Sequence, residues 1–374
     1  MIACSKLYCG KITESDSMRY GPDKHKKPIV VWNMTKQCNL HCVHCYINAK
    51  GKPDANELTT ETAKKLIDDL AEFQAPVLLF SGGEPLIRED MFELGAYSVQ
   101  QKLRTVISTN GTLITPEVAK KIKDTGFSYV GISIDGLENT NDKFRGEKGA
   151  FNKAIKGIHN CIEAGVKVGL RFTINKNNFS DLKGIFDLIE KEKIPRVCFY
   201  HLVYAGRGTK MIEEDVSHKE TKEALDLILE KCEKFHKDKV ECEILTVDNH
   251  TDGPYLYMKL KSKDEERAKV ALKLLEINGG NSTGIGIAEI DNLGEVHADQ
   301  FWQHYSFGNI HKRKFSEIWM DTSDPLMAGL KNRKKLLKGK CAECKWLSIC
   351  NGNFRVRAEA YYQDVWAEDP ACYI

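Results

Sequence analysis

The sequence predicts an α/β protein, a partial (β/α)6 barrel followed by a smaller, cysteine-rich C-terminal domain. Three observations predict it. Six short β-branched runs between residues 28 and 203 are separated by five amphipathic segments of helical length, the pattern of βαβ units and a parallel sheet. Polar, glycine-bearing turns follow the ends of these runs, where parallel barrels carry their chemistry. Beyond the loosened stretch Gly279-Gly280-Asn281-Ser282-Thr283-Gly284, cysteines gather at 341, 344, 350 and 372.

Strands are expected near 28–34, 76–81, 105–109, 128–134, 166–174 and 195–203, with helices near 59–73, 89–102, 115–125, 150–164 and 179–192. Thr59-Thr60-Glu61-Thr62 opens a helix in capping-box style, and Thr115-Pro116 places proline at the first helical position. The domains then run as an N-terminal arm (1–27), the barrel (28–215), a helical bridging segment (216–280) and the C-terminal domain (281–374). Long helices are expected at 216–240 and 262–277. The polar, aromatic stretch between them, Thr246 to Tyr255, is a candidate functional loop. The arm has few apolar positions, so Cys4 and Cys9 are expected as free thiols on a mobile segment.

A chain of 374 residues buries a full core. A net charge of +2 argues against a strong nucleic-acid or membrane-surface field, and no apolar run approaches a membrane span. The first residues lack the apolar core of a signal peptide, so a cytoplasmic location is expected. Thirteen cysteines there read better as metal ligands than as a disulfide framework.

Chemistry concentrates first at Cys38-x3-Cys42-x2-Cys45, directly after the run Pro28–Trp32. Three thiolates leave one iron of a cubane [4Fe–4S] cluster open to another ligand. The alternative is zinc, with His41 or His44 drafted as further ligands. Ser81-Gly82-Gly83-Glu84-Pro85 follows the second strand: glycines let backbone approach a ligand, and a carboxylate accepts from an ammonium. Ser108 and Asn110 end the third strand, and Ser133 and Asp135 the fourth; each is otherwise an ordinary turn residue. Arg171 interrupts an apolar strand, which calls for a carboxylate partner unless the position is on the surface. At the C-terminus, Cys341, Cys344, Cys350 and Cys372 complete a four-thiolate shell that suits zinc or a cluster.

The three-cysteine loop at a first strand end, followed by Gly82-Gly83-Glu84, resembles the radical S-adenosylmethionine (SAM) enzymes. That resemblance implies SAM on the open iron, cleaved reductively to a 5′-deoxyadenosyl radical. It also implies SAM contacts from Gly82, Gly83, Glu84, Ser108, Asn110, Ser133, Asp135 and Arg171, with adenine-side contacts at Ala205-Gly206-Arg207-Gly208. The C-terminal cysteines, with the segments 290–296 and 308–319 before them, resemble a SPASM-type auxiliary-cluster domain. His297-Ala298-Asp299 stands where a full domain of that type has an early cysteine. The resemblance therefore implies one auxiliary [4Fe–4S] cluster, two clusters in all.

Further stretches, among them Tyr200–Gly208, His297–Trp302, Cys350–Ala358 and Ala367–Tyr373, resemble the radical SAM group acting on siroheme-derived tetrapyrroles. This implies removal of two acetate side chains from didecarboxysiroheme to give iron-coproporphyrin III. The alternatives are propionate removal in heme d1 biosynthesis and peptide modification. An electron donor such as ferredoxin or flavodoxin is implied, as is an anaerobic setting. Arg171, Arg207, Arg355 and Arg357 are candidates for substrate carboxylates, and His201, His250, His297 and His304 for an axial ligand to substrate iron. No individual catalytic residue is assigned. A non-catalytic iron–sulfur carrier is the rival from another class, but it needs no cofactor pocket.

Overall fold

The computed structural model describes residues 1–13, 16–21 and 27–374. Among the described residues one nine-stranded sheet organises the chain, in the order β7-β6-β5-β4-β3-β2-β1-β8-β9. Its strands are β1 (Ile29–Asn33), β2 (Leu78–Ser81), β3 (Thr105–Thr109), β4 (Val130–Ser133), β5 (Val168–Ile174), β6 (Arg196–His201), β7 (Glu243–Val247), β8 (Ile287–Ile290) and β9 (Val296–His297). All neighbours pair parallel except β8 with β9. The six expected strands and the five helices between them are present, the helices at Thr60–Glu72, Met91–Gln100, Pro116–Thr125, Ala150–Glu163 and Leu182–Lys191. Both N-caps form, Thr59 accepting from Thr62 N–H and Thr115 from Val118 N–H ahead of Pro116, but the first is a single cap and not a capping box, because Thr62 stands at the third helical position.

Three features differ from expectation. The bridging segment is not wholly helical: Glu243–Val247 forms β7, pairing Ile244 with Val197 of β6. The loop expected at 246–255 is shorter, a turn at 248–251 between the end of β7 and a helix, Asp252–Lys261, and a further short helix spans Glu138–Arg145. The arm is not a mobile tail in its described parts. Ile2, Ala3, Cys4, Leu7 and Tyr8 are buried, and Cys4–Cys9 is helical. Ile2 exchanges two backbone hydrogen bonds with Thr246, at 2.8 and 2.9 Å. Cys4, Leu7 and Tyr8 fall on one face of this helix, a periodicity too short to stand out among the polar residues around it. Residues 14–15 and 22–26 of the arm lie outside the described residues.

The sheet has two unlike faces, because successive side chains of a strand alternate. Leu170, Phe172 and Ile174 of β5 join Phe80, Ile107, Ile132 and Phe199 in the core under the helices. Val31, Leu79, Ser108, Ser133, Arg171, Thr173 and Tyr200 face the other way and line a cavity. Arg171 therefore sits in an apolar run without entering the apolar core. Among the described residues no helix is long and apolar enough to cross a membrane.

The glycines after β2 are needed for contact with the chain's own backbone. Gly83 N–H donates to Thr35 O at 2.7 Å, and Glu84 N–H to Gln37 O at 2.8 Å. A Cβ on Gly83 would lie 2.2 Å from the Gln37 carbonyl oxygen, whereas one on Gly51 meets nothing within 4 Å. Gly83→Ala is expected to lower stability by roughly 1–3 kcal/mol in urea unfolding, and Gly51→Ala to leave it unchanged.

Candidate active site

Cys38, Cys42 and Cys45 follow β1 on a loop that backbone and guanidinium groups hold in shape. Arg207 donates from Nε to Cys42 O at 2.8 Å and from Nη1 to Ala49 O at 2.9 Å. His41 and Val43 N–H donate to Arg145 O and Phe144 O at 3.1 and 3.0 Å. The sulfurs themselves accept: Leu40 N–H to Cys38 at 3.4 Å, Ala49 N–H to Cys45 at 3.3 Å and Arg145 Nη1 to Cys42 at 3.6 Å. Such donors stabilise metal-bound thiolates and tune a cluster's potential. Burial pushes the Cys38 thiol up to about 12, so its thiolate needs a cation beside it. The donor set fits a three-thiolate cluster. Among the described residues no three Cys, His, Asp or Glu side chains are grouped so as to hold a single metal ion. In a cubane each thiolate has its own iron.

The polar strand ends converge beside this loop, but Glu84, Gly82, Gly83 and Asp135 do so differently from expectation. Glu84 is fully buried and not an open carboxylate. It accepts from Thr109 Oγ1 at 2.8 and 2.9 Å, Asn110 N–H at 2.8 Å and Leu86 N–H at 3.1 Å. It thereby clasps the ends of β2 and β3. Burial raises its pKa to about 7 against these hydrogen bonds. Gly82 and Gly83 press on the backbone of residues 34–37, so their small size first serves docking of the cysteine loop. Asp135 is likewise engaged, in an ion pair with Arg145 and by Thr173 N–H at 2.6 Å, which leaves Ser133 as the open group at the end of β4. Asn110 donates to Asn39 Oδ1 at 2.8 Å and lies 3.9 Å from the Cys38 sulfur.

Arg171 donates from Nε and Nη2 to the Tyr200 hydroxyl at 2.9 and 2.7 Å, and from Nη1 to Ser108. Its guanidinium is buried and stays charged, with no carboxylate ion pair among the described residues. An anionic ligand would complete it. The other candidate arginines face elsewhere. Arg207 braces the cysteine loop; Arg355 donates to Gly352 O and to Val365 O at 3.0 Å; Arg357 is paired with Asp369. Each acts as a structural brace through its bonds to backbone carbonyls or a buried carboxylate, although Arg207 Nη2 and Arg355 Nε have no partner among the described residues.

Of the candidate histidines only His201 lines the cavity, with Nε2 2.9 Å from Asp252 Oδ2. His250 meets the amino group of Met1 at 3.1 Å. His304 is on the surface against Glu359. His297 bonds the Tyr305 carbonyl; burial opposes its charge, but Asp291 and Glu289 outweigh burial and hold it up to about 9. Sequence reasoning missed Tyr46 and Arg145 as cavity residues; it drafted His44 only as a zinc ligand, and held Tyr200 and Asp248 only as members of a motif and of the 246–255 loop. His44 and Tyr46 had a signal in flanking Cys45; Arg145 had none, because a short helix delivers it from far along the chain.

The cavity, about 740 Å³ with its solvent-open mouth included, runs from His44, Tyr46 and Arg145 by the cysteine loop to Asp248, Gln300 and Phe301 beyond β7 and β9. The C-terminal thiols form a separate group. Cys341 and Cys350 are buried, Cys344 and Cys372 half-buried. Cys344 N–H reaches Cys341 O at 3.4 Å, and the charge of Cys372 is felt at Cys341 and Cys350.

Residues 32–189 match the model of the radical SAM superfamily. The chain belongs to that family, and it is a radical SAM enzyme. Within it, the chain is 61% identical over its full length, and over 98% of the relative, to Fe-coproporphyrin III synthase of Methanosarcina barkeri. It is 41% identical, over 93% of this chain and 86% of the relative, to pre-heme d1 synthase of Dinoroseobacter shibae. Among solved structures the fold is similar to Streptococcus suis SuiB bound to precursor peptide SuiA, with TM-score 0.73, 18% identity, and coverage of 94% of this chain and 76% of that one. A second such structure, anSMEcpe with bound AdoMet, has TM-score 0.69 and 18% identity, and covers 92% of this chain and 94% of that one.

Glu84→Gln exchanges an acceptor oxygen for an NH2 group that must face Asn110 N–H or Leu86 N–H. It is expected to cost roughly 1–3 kcal/mol in urea unfolding at neutral pH; an unchanged midpoint would contradict the clasp.

Proposed function

We propose that the protein removes two acetate side chains from didecarboxysiroheme, giving iron-coproporphyrin III. The observation that carries this reading is the 61% identity, over the whole chain, to a relative named Fe-coproporphyrin III synthase. Propionate removal is the second reading, on the strength of the 41% identical pre-heme d1 synthase. The peptide-bound SuiB structure supports only the fold, at 18% identity.

In this reading Cys38, Cys42 and Cys45 hold a [4Fe–4S] cluster with SAM on its open iron. When bound, the pair supplies the 5′-deoxyadenosyl radical. In this reading Ser133, Asn110 and the backbone of residues 81–83 meet SAM, and Arg171 takes a carboxylate of SAM or substrate; Ser81, Ser133 and Arg171 line the cavity and Asn110 lies beside Cys38, which supports it. Glu84 and Asp135 act through the groups they brace. The apolar wall of Val31, Leu79, Leu202, Val203 and Phe301 keeps water from the reacting centre. Cys341, Cys344, Cys350 and Cys372 hold a fully ligated auxiliary cluster, and a ferredoxin- or flavodoxin-like protein delivers electrons. The SAM-binding part is the 28–215 segment, and the auxiliary part 281–374.

Anaerobic incubation of the reconstituted protein with SAM, a reductant and didecarboxysiroheme, followed by mass spectrometry, tests this. Loss of two acetates with 5′-deoxyadenosine formed is expected. Loss of propionates instead would move the protein to the second reading, and SAM cleavage without pigment change would reject both. Cys42→Ala is expected to abolish 5′-deoxyadenosine production. Cys350→Ala, by contrast, is expected to lower iron from about eight to about four per chain with the three-cysteine site still loaded; unchanged iron content would remove the auxiliary cluster.

A further inference from the structure

At the end of β7, Asp248 stands in the left-handed backbone region, at φ +67°. Asp and Asn tolerate this conformation better than other side chains, yet it is uncommon and marks a constrained position. The backbone there is pinned, because Arg357 Nη2 donates to Asp248 O at 2.9 Å. The side chain is not. It lines the cavity, is only 6% exposed, and its carboxyl group has no hydrogen bond to any described residue. Buried carboxyl groups are normally satisfied, as Glu84, Asp135 and Asp252 are here by two or more donors each. Asp248 has been aimed at the cavity and left for something that enters it.

Resting on the tetrapyrrole reading above, we propose that Asp248 is a substrate-positioning residue that donates a hydrogen bond from its protonated carboxyl group to a peripheral carboxylate of the macrocycle. Arg171 and Asp248 then flank Tyr200 on the cavity wall, a fixed cation and a neutral acid. A carboxylic acid bonded to a carboxylate forms a short, charge-assisted hydrogen bond without adding charge to a buried site. Burial supports the neutral form, raising the group to about 7, while the Met1 amino group, Arg357 and His201 oppose this and Asp299 assists it. Tyr200 faces it from β6.

The test is binding of didecarboxysiroheme to the cluster-loaded protein, followed by absorbance from pH 6 to pH 9. For the unsubstituted protein affinity is expected to weaken as pH rises through about 7, where the acid loses its proton. Asp248→Asn, which suits a left-handed backbone and keeps a donor, is expected to bind within about threefold and without that pH dependence. Asp248→Gly, free of backbone strain but without a donor, is expected to bind about tenfold or more weakly, with iron content unchanged as the measure of folding. Glycine binding as tightly as aspartate would overturn the proposal. So would asparagine that binds normally yet loses turnover, since that result assigns proton transfer instead. Failure of the unsubstituted protein to bind or convert the pigment would refute the tetrapyrrole reading itself, and the Asp248 role with it.

Discussion

Arg357 and Asp369 form an ion pair with no exposed side-chain surface on either partner. Such a pair is sustained only when its remaining polar atoms are satisfied. Here the guanidinium also donates to Leu202 O at 2.8 Å and Asp248 O at 2.9 Å, and the carboxylate also accepts from Phe354 N–H and Ala371 N–H, both at 2.9 Å. One buried pair therefore joins the ends of β6 and β7 to the segments around Cys350 and Cys372. Severing it would leave a charge unpaired in the interior, at a cost of roughly 3–5 kcal/mol. The mouth of the barrel and the C-terminal thiols hold their relative positions through it.

The same economy shapes the cavity. Charges inside it are either matched, as with Asp135 and Arg145, or kept without an acidic partner, as with Arg171. Room for Arg171 comes from Gly131 on the neighbouring strand, where a Cβ would lie 2.8 Å from the arginine Cδ. Strand alternation does the rest, placing Ser133, Arg171, Thr173 and Tyr200 on the concave face and Phe172 and Phe199 behind it.

Much of this was legible in the sequence. Helix caps, β-branched runs and the cysteine spacings are local signals, and the six barrel strands, five helices and both thiol groups follow from them. What stayed hidden is non-local. Glu243–Val247 reads as a strand only once β6 offers it a partner, and the arm reads as ordered only once Thr246 receives Ile2. Glu84, Asp135, Arg207, Arg355 and Arg357 are polar residues that sequence assigns naturally to ligands. In the fold, neighbouring backbone and buried countercharges claim them first. Asp248 is the converse: nothing in its sequence surroundings distinguishes it from its polar neighbours, and only its empty hydrogen-bonding capacity does.

The pairing of Ile2 with Thr246 also bears on how the molecule behaves in a crowd. A parallel sheet that does not close on itself leaves its outer strand with unpaired amides and carbonyls, a template for any other chain in extended form. On β7 the first residues take up that bonding, and the helix Cys4–Cys9 lies over the same edge. The outer strand is thus occupied at Thr246 by the first residues of the chain, which removes that template for self-association right beside the Asp248 end of the cavity.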